Sequence, residues 1–452
     1  MNHWWLLFLL NLPILQEVIR KYFVYSDLVF LAADALVILT AIAVGLQGNL
    51  DVKNVPSVFV LLSALVIVLT LVNHLSAGNH IGMYGIGLRA TFLPLVYMLL
   101  CARYVSAVEN GYDRIFFCVN AWILIIGSMA ILQVLLGKDH PINSVWGTSA
   151  LGVGDFATTE KGLLIRGMFR PTSIFTHTGK FGQVIFTLVF FKWCYLLFSR
   201  VKRSSLLYAL MLFDLAVIFV SGQRAALMFL VLGTIMINVI HMREHGVSLR
   251  KIVIPSVLIA GGLMGAWVAR PGMAQAVFDR FASVITAVPV RLEGNVWLPI
   301  ETMLEDYLFT GEGLGYFTFG SRLFGGGAQV YQAVKMEGLG ESSFIRLSAE
   351  VGVVVALTLV VAYFSLVLRG IGMFMKYQGT VVASGSLFFS IWAMCLMLWS
   401  NTADVFANSI VTTMGFALSG ATVCRVQPDN EDEVPEISPP PSPLHPPWVA
   451  SI

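Results

Sequence analysis

Apolar runs of about the length needed to cross a bilayer, separated by short polar breaks, make up most of the chain. A helix needs about 20 mostly apolar residues for a crossing. Runs at 4–19, 27–46, 56–72, 88–105, 115–136, 181–198, 206–220, 225–240, 252–268, 343–368, 381–398 and 405–423 each predict one span, twelve in all. The first is the most interrupted, by Asn11, Pro13 and Gln16. Two long polar passages break the rhythm, at 137–180 and 270–342. The second alternates amphipathic segments (273–285 and 296–308) with glycine turns such as Thr310-Gly311-Glu312-Gly313-Leu314-Gly315-Tyr316. Long connections without regular structure are uncommon in folded chains, so a folded cap outside the membrane is expected here, inserted between the ninth and tenth spans. From Gln427 the chain turns acidic and proline-rich (Asn430-Glu431-Asp432-Glu433, then Pro439-Pro440-Pro441). Such a segment cannot bury a core, which predicts a disordered tail over 427–452. The expected architecture is an all-α polytopic membrane domain over 1–426, with the cap as its one large insertion.

Composition strengthens this picture. Of 452 residues, 57% are hydrophobic and 12% charged, with mean hydropathy +0.80, whereas soluble domains carry about 25% charged residues. A net charge of +2 with scattered basic residues argues against nucleic acid as a partner. Cys101, Cys118, Cys194, Cys395 and Cys424 show no CxxC spacing, so neither a disulfide framework nor a zinc site is implied. The first run has no leading Lys or Arg and no small-x-small site after it, so a retained helix is expected. Short basic links hold Lys53, Arg103 with Arg114, Arg200-Lys202-Arg203, Arg243-Arg250-Lys251 and Arg369-Lys376. All fall on one side, which the positive-inside rule makes cytoplasmic. Both termini are then cytoplasmic and both long passages face outward.

Arginine is the chemistry-bearing residue of the outward side. Arg89 begins the fourth expected span. Arg166 and Arg170 lie in Arg166-Gly167-Met168-Phe169-Arg170-Pro171-Thr172, Arg224 at the mouth of the eighth span in Ser221-Gly222-Gln223-Arg224-Ala225-Ala226, and Arg291 in the cap. Guanidinium groups grip phosphate through two donors at once, so these residues form either a site for a phosphorylated lipid or anchors to lipid headgroups. The surroundings of Arg224 and Arg291 favour the site. The outward histidines (His74, His80, His140 and His177) lack metal-ligand spacing. His177, in Thr176-His177-Thr178, is the best candidate among them. Gly311-x-Gly313-x-Gly315 follows no strand and is no dinucleotide loop. Asp214 sits mid-span, where it is open between a functional role and a hydrogen bond to a neighbouring helix. Arg346 and Glu350 are spaced to pair on one helix face. Glu341, where cap meets membrane, is either a general base or an anion at a helix start.

These pieces resemble one family. An Arg-Gly-x-Phe-x-Pro segment is followed by Ser-x-x-Arg-x-Ala opening a span. Next comes a large outward loop with Arg291, Trp297 and the run from Asp306 to Gly315, then Glu350-Val351-Gly352. The order is similar to that of the bacterial O-antigen ligase and polymerase superfamily, over roughly 166–368. The resemblance implies about twelve spans and one long periplasmic loop in the inner membrane. It also implies transfer of a glycan from undecaprenyl diphosphate to an acceptor hydroxyl, without metal, nucleotide or other cofactor. Arg224 and Arg291 would hold the diphosphate, with Arg89, Arg166, Arg170, His177, Arg346 and Glu350 lining the substrate site. The family's post-loop span opens with His-Asn-x-x-Leu; Glu341 stands at that histidine's place, as the expected base. That difference favours an O-antigen or surface-polysaccharide polymerase. A ligase to lipid A core or protein is the alternative, and a lipid-linked saccharide flippase the reading from another class. Membrane lipids are expected partners, as is a chain-length regulator or another envelope assembly component.

Overall fold

The computed structural model describes residues 3–24, 26, 28–50, 52–137, 140–143, 164–165, 168–169, 171–176, 178–198, 205–245, 293, 298–317, 324, 342–378, 380–400 and 409–424. Within them the apolar runs are helices: α1 (His3–Tyr22), α2 (Leu28–Leu46), α3 (Ser57–Ser76), α4 (Ile81–Ala107), α5 (Gly111–Leu136), α6 (Thr178–Phe198), α7 (Ser205–Ser221) and α8 (Arg224–His245). They are followed by α9 (Leu298–Asp306), α10 (Ser343–Val351), α11 (Val353–Lys376), α12 (Val381–Ser400) and α13 (Ser409–Ala417). A small antiparallel ribbon pairs β1 (Leu164–Ile165) with β2 (Met168–Phe169). Among the described residues seven helices are long and apolar enough to cross a membrane: α2 to α6, α11 and α12. The chain is a helical polytopic membrane protein. The expected ninth span, the amphipathic segment at 273–285 and the tail at 427–452 lie outside the described residues.

Exposure along α3 shows the bilayer as the solvent. Val58, Leu61, Leu65, Val68 and Val72 are exposed at three- and four-residue spacing, while Phe59, Ser63, Val66, Thr70 and His74 are buried on the other face. The polar residues face inward and the aliphatic ones outward, the inverse of a helix on a soluble core. At the centre stands α6, buried almost throughout, with α5, α7, α8, α12 and α13 packed around it. Helices approach closely where a side chain is missing. A Cβ on Gly127 would overlap Phe213 and Val217, one on Gly233 would meet Phe190, and one on Gly415 would enter Trp392. Small residues at crossings are how membrane helices gain van der Waals contact when lipid removes the hydrophobic drive.

Three expected boundaries are corrected. The fourth helix starts at Ile81, because His80 caps it by accepting the Gly82 N–H on Nδ1 at 3.0 Å. Arg89 therefore does not begin the span; it lies inside it. The expected run at 343–368 is two helices, broken at Gly352 with φ +86°. A Cβ there would come within 2.7 Å of the Phe309 backbone. The last helix ends at Ala417 and gives way to a 3-10 turn over Gly420–Thr422, short of the expected end at Val423.

Candidate functional site

The break at Gly352 leaves two sets of orphan backbone groups, the last carbonyls of α10 and the first amides of α11. The strap at 307–317 satisfies both. Glu312 and Gly313 donate N–H groups to the carbonyls of Ala349 and Glu350 at 2.9 and 2.8 Å. Val353 and Val354 donate to the carbonyls of Tyr307 and Leu308 at 2.8 and 3.2 Å. The glycine run is thus a close-packing device. A Cβ on Gly311 would lie 2.5 Å from the Ala349 oxygen, and one on Gly315 (φ +88°) would overlap the Met83 carbonyl. From the other side, the turn between α3 and α4 grips the strap. Asn73 donates to Gly311 O at 3.0 Å, and Asn79 donates to Glu312 O.

Glu350 sits where these contacts converge. Its two carboxylate oxygens accept the N–H groups of Gly315 and Phe317 at 3.2 and 3.0 Å. Arg346, one turn earlier on α10, reaches Glu350 Oε1 through Nη1 at 3.3 Å. The i, i+4 pairing expected from sequence is present, with both side chains nearly excluded from solvent at 7% and 2% exposure. Ser342 caps α10, its hydroxyl accepting the Ile345 N–H at 3.4 Å.

Arg346 and Glu350 also line a cavity of about 350 Å³ between α4, α10, α11, α12 and α13, with Ile300 of α9 at its edge. The volume falls within the roughly 300–1,000 Å³ range of ligand pockets. Beyond the charged pair the walls are mostly apolar, with Ala90 and Pro94 on α4, Leu359 and Val360 on α11 and Phe416 on α13, interrupted by the hydroxyl-bearing Ser343, Ser400 and Thr412. The charge is at the end where strap and α9 sit, here termed the cap side. The arrangement can hold an apolar chain with its anionic head against a guanidinium.

A second polar cluster gathers at the cap-side ends of α1, α2, α4 and α6. Glu17, fully buried, accepts from Lys180 Nζ at 2.7 Å and from the Thr176 hydroxyl at 3.2 Å, with Arg20 Nη1 at 3.7 Å. Lys21, also fully buried, donates to the Thr172 hydroxyl at 2.8 Å and to the Ser173 carbonyl. Asp34 of α2 is ion-paired with Arg89 of α4. The Phe30 ring has Arg20 at 4.0 Å and Arg89 and Lys180 at 5.6 Å, within cation–π range. Ser173 adopts φ +53°, a conformation that costs an L-residue about 1–2 kcal/mol. Gln133 offsets that cost by accepting the Ser173 N–H at 2.7 Å and donating to its carbonyl at 3.0 Å. The cluster fixes the segment at 171–176 against α1 and α5.

Of the residues expected in the site, the structure brings Arg346 and Glu350 together and places Arg89 in the other cluster, against Asp34. Glu341, Arg291, Arg166, Arg170 and His177 lie outside the described residues. Arg224 opens α8, and its side chain is not among those described. Asp214 is hydrogen-bonded between helices: it accepts from Lys192 Nζ at 2.9 Å and Trp193 Nε1 at 3.3 Å. Reasoning from sequence missed Glu17, Arg20, Lys21, Lys180, Asn73 and Asn79. A signal existed for the first three, since 17, 20 and 21 share a helix face just where the first apolar run fails. No protein-family model matches the chain, and no curated protein matches it in sequence.

Proposed function

We propose that the protein transfers a saccharide from a polyprenyl diphosphate carrier to an acceptor hydroxyl at the outward face of a bacterial inner membrane, as a surface-polysaccharide polymerase. The observation that carries this reading is the cavity: an apolar chamber among membrane helices, with Arg346 and Glu350 at its cap-side end. A carrier with an isoprenoid tail and a diphosphate head has this polarity. The Asp306-to-Gly315 run on which the family resemblance partly rests spans the end of α9 and the strap bound to Glu350, and α9 occupies most of the amphipathic segment at 296–308.

In this reading twelve spans carry the cap on the periplasmic side, and both termini are cytoplasmic. Arg224 and Arg291 hold the diphosphate and stabilise the charge that grows as it leaves, as preorganised cations do in place of a metal. The acceptor oxygen attacks the anomeric carbon as the bond to the diphosphate breaks, with inversion. The hydroxyl proton passes to Glu341. The test is transfer by the purified protein supplied only with a lipid-linked repeat unit. Products lengthened by whole repeats support polymerisation. Transfer only after lipid A core is added makes it a ligase, and transbilayer movement without any new glycosidic bond makes it a flippase.

A further inference from the structure

The cavity has a defined inner end, and one residue makes it. Pro94 lies within α4, where it removes one backbone donor and crowds the preceding turn. Ala90 presents almost no side chain on the same wall, and the cavity lies between α4 and α11 there. Tyr363 closes it. Its ring stands edge-on to Phe59 at 5.6 Å and to Phe416 at 5.8 Å, and its hydroxyl donates to the carbonyl of Thr91, in the turn before the proline. Tyr363 is ten residues along α11 from Val353, which places it about 15 Å in from the cap-side end of that helix. Arg346 and Glu350 line the opposite end.

We infer that Tyr363 is the specificity-determining residue of this cavity, setting how many isoprene units of a diphosphate-headed chain enter it. The inference rests on the proposed reading, in that it takes the occupant to be a prenyl diphosphate. The occupant's class follows from the apolar walls and from the charged end, where the Arg346 guanidinium would meet the diphosphate beside its own partner Glu350. Its registry is fixed at two points, the head by the guanidinium and the tail by the phenol ring. Units beyond the ring must leave the cavity sideways, and they add little further affinity.

The experiment is equilibrium binding of inorganic diphosphate and of geranyl, farnesyl, geranylgeranyl and undecaprenyl diphosphate to the full-length protein in detergent. Affinity should rise by roughly tenfold or more per added unit while the unit is buried, then level off. Tyr363→Ala should move the levelling point to a longer chain, and Tyr363→Phe, which keeps the ring, should leave it in place. Ala90→Leu, which fills the chamber from the opposite wall and does not depend on the Tyr363 variants folding, should weaken the prenyl ligands at least about tenfold and leave inorganic diphosphate unchanged. An unmoved levelling point in Tyr363→Ala overturns the inference, as does equal affinity for all chain lengths in the wild type. Because binding is read without turnover, the two claims separate. The expected profile with no glycan transfer removes the proposed reaction and keeps Tyr363 as the gauge; transfer with an unmoved profile does the reverse.

Discussion

Two buried pairs in this protein, Lys192–Asp214 and Arg346–Glu350, have the same formal chemistry and different surroundings. The first joins α6 to α7 with Nζ at 2.8 Å from the carboxylate and side-chain exposures of 1% and 0%. Its carboxylate takes one more donor, the Trp193 indole, and is sealed among helices. The second pair is also buried, but its carboxylate holds two strap amides and both residues border a cavity. An ionisable residue within a membrane domain is a functional candidate by default. The contrast shows that access decides: a pair with no space beside it fixes helix registry, whereas one at a chamber wall can meet a ligand.

The sharpest way to break that comparison is to unpair the sealed site, and the expected effects below run from the largest change in stability to the smallest. Lys192→Met leaves a carboxylate buried with only an indole, and such single deletions cost roughly 3–5 kcal/mol. Most of the protein should be lost from the folded peak in size-exclusion chromatography. Lys192→Met combined with Asp214→Leu removes both charges and should recover most of it. A stable single variant would show that water reaches Asp214 and that the site is not sealed.

Glu350→Ala comes next. It strips acceptors from the Gly315 and Phe317 amides, at about 1–3 kcal/mol for buried donors left unsatisfied. Hydrogen exchange should quicken over 307–317 more than over α6, because the strap loses a fixing point while the central helix keeps its packing. Uniform protection would mean that the contacts from Asn73 and Asn79 hold the strap without it.

The helices were legible in the sequence because bilayer length and apolar run length are the same quantity, and among the described residues seven long apolar helices stand where runs were expected. Their ends were less so. Arg89 was placed at a span boundary because hydropathy drops across Ile81-Gly82-Met83-Tyr84-Gly85-Ile86-Gly87, yet that glycine-rich turn is helical, its flat faces receiving Phe324, Leu314 and Gly315. The Arg346–Glu350 pair was readable from local spacing. The cavity was not, since it arises where α4 meets the four helices α10 to α13, which lie far along the chain from it. Asp214 was visible as an intramembrane carboxylate, but its partner Lys192 sits in a different run, and only packing joins them.

A milder test sharpens the strap side of the comparison. Gly313→Ala places a Cβ against the Asn79 and His74 side chains at φ +105°, an arrangement alanine does not tolerate without loss, at least about 1 kcal/mol. The melting temperature in detergent should fall modestly, and the change should be local. Asn79→Ala, which removes one side-chain bond to the same strap without touching backbone geometry, should fall less.

The smallest change in stability is expected from Arg346→Lys, and it asks most directly whether the second pair differs from the first in kind. Lysine keeps the charge facing Glu350, so the pair survives in altered form and melting should shift less than in the preceding variants. What lysine lacks is the planar fork that can serve the carboxylate and a phosphate oxygen together. If Arg346 is only a structural partner of Glu350, ligand affinity should stay at the wild-type value. If it meets a diphosphate at the cavity end, farnesyl diphosphate binding should weaken on the order of tenfold, one charge-assisted bond being worth roughly 1.5–3 kcal/mol. The same substitution at Lys192, Lys192→Arg, gives the control: the sealed pair has no room for a larger head, so it should lose stability and leave the binding of surviving protein unaltered. Arg346→Lys failing on affinity while Lys192→Arg fails on stability is the pattern that access alone explains.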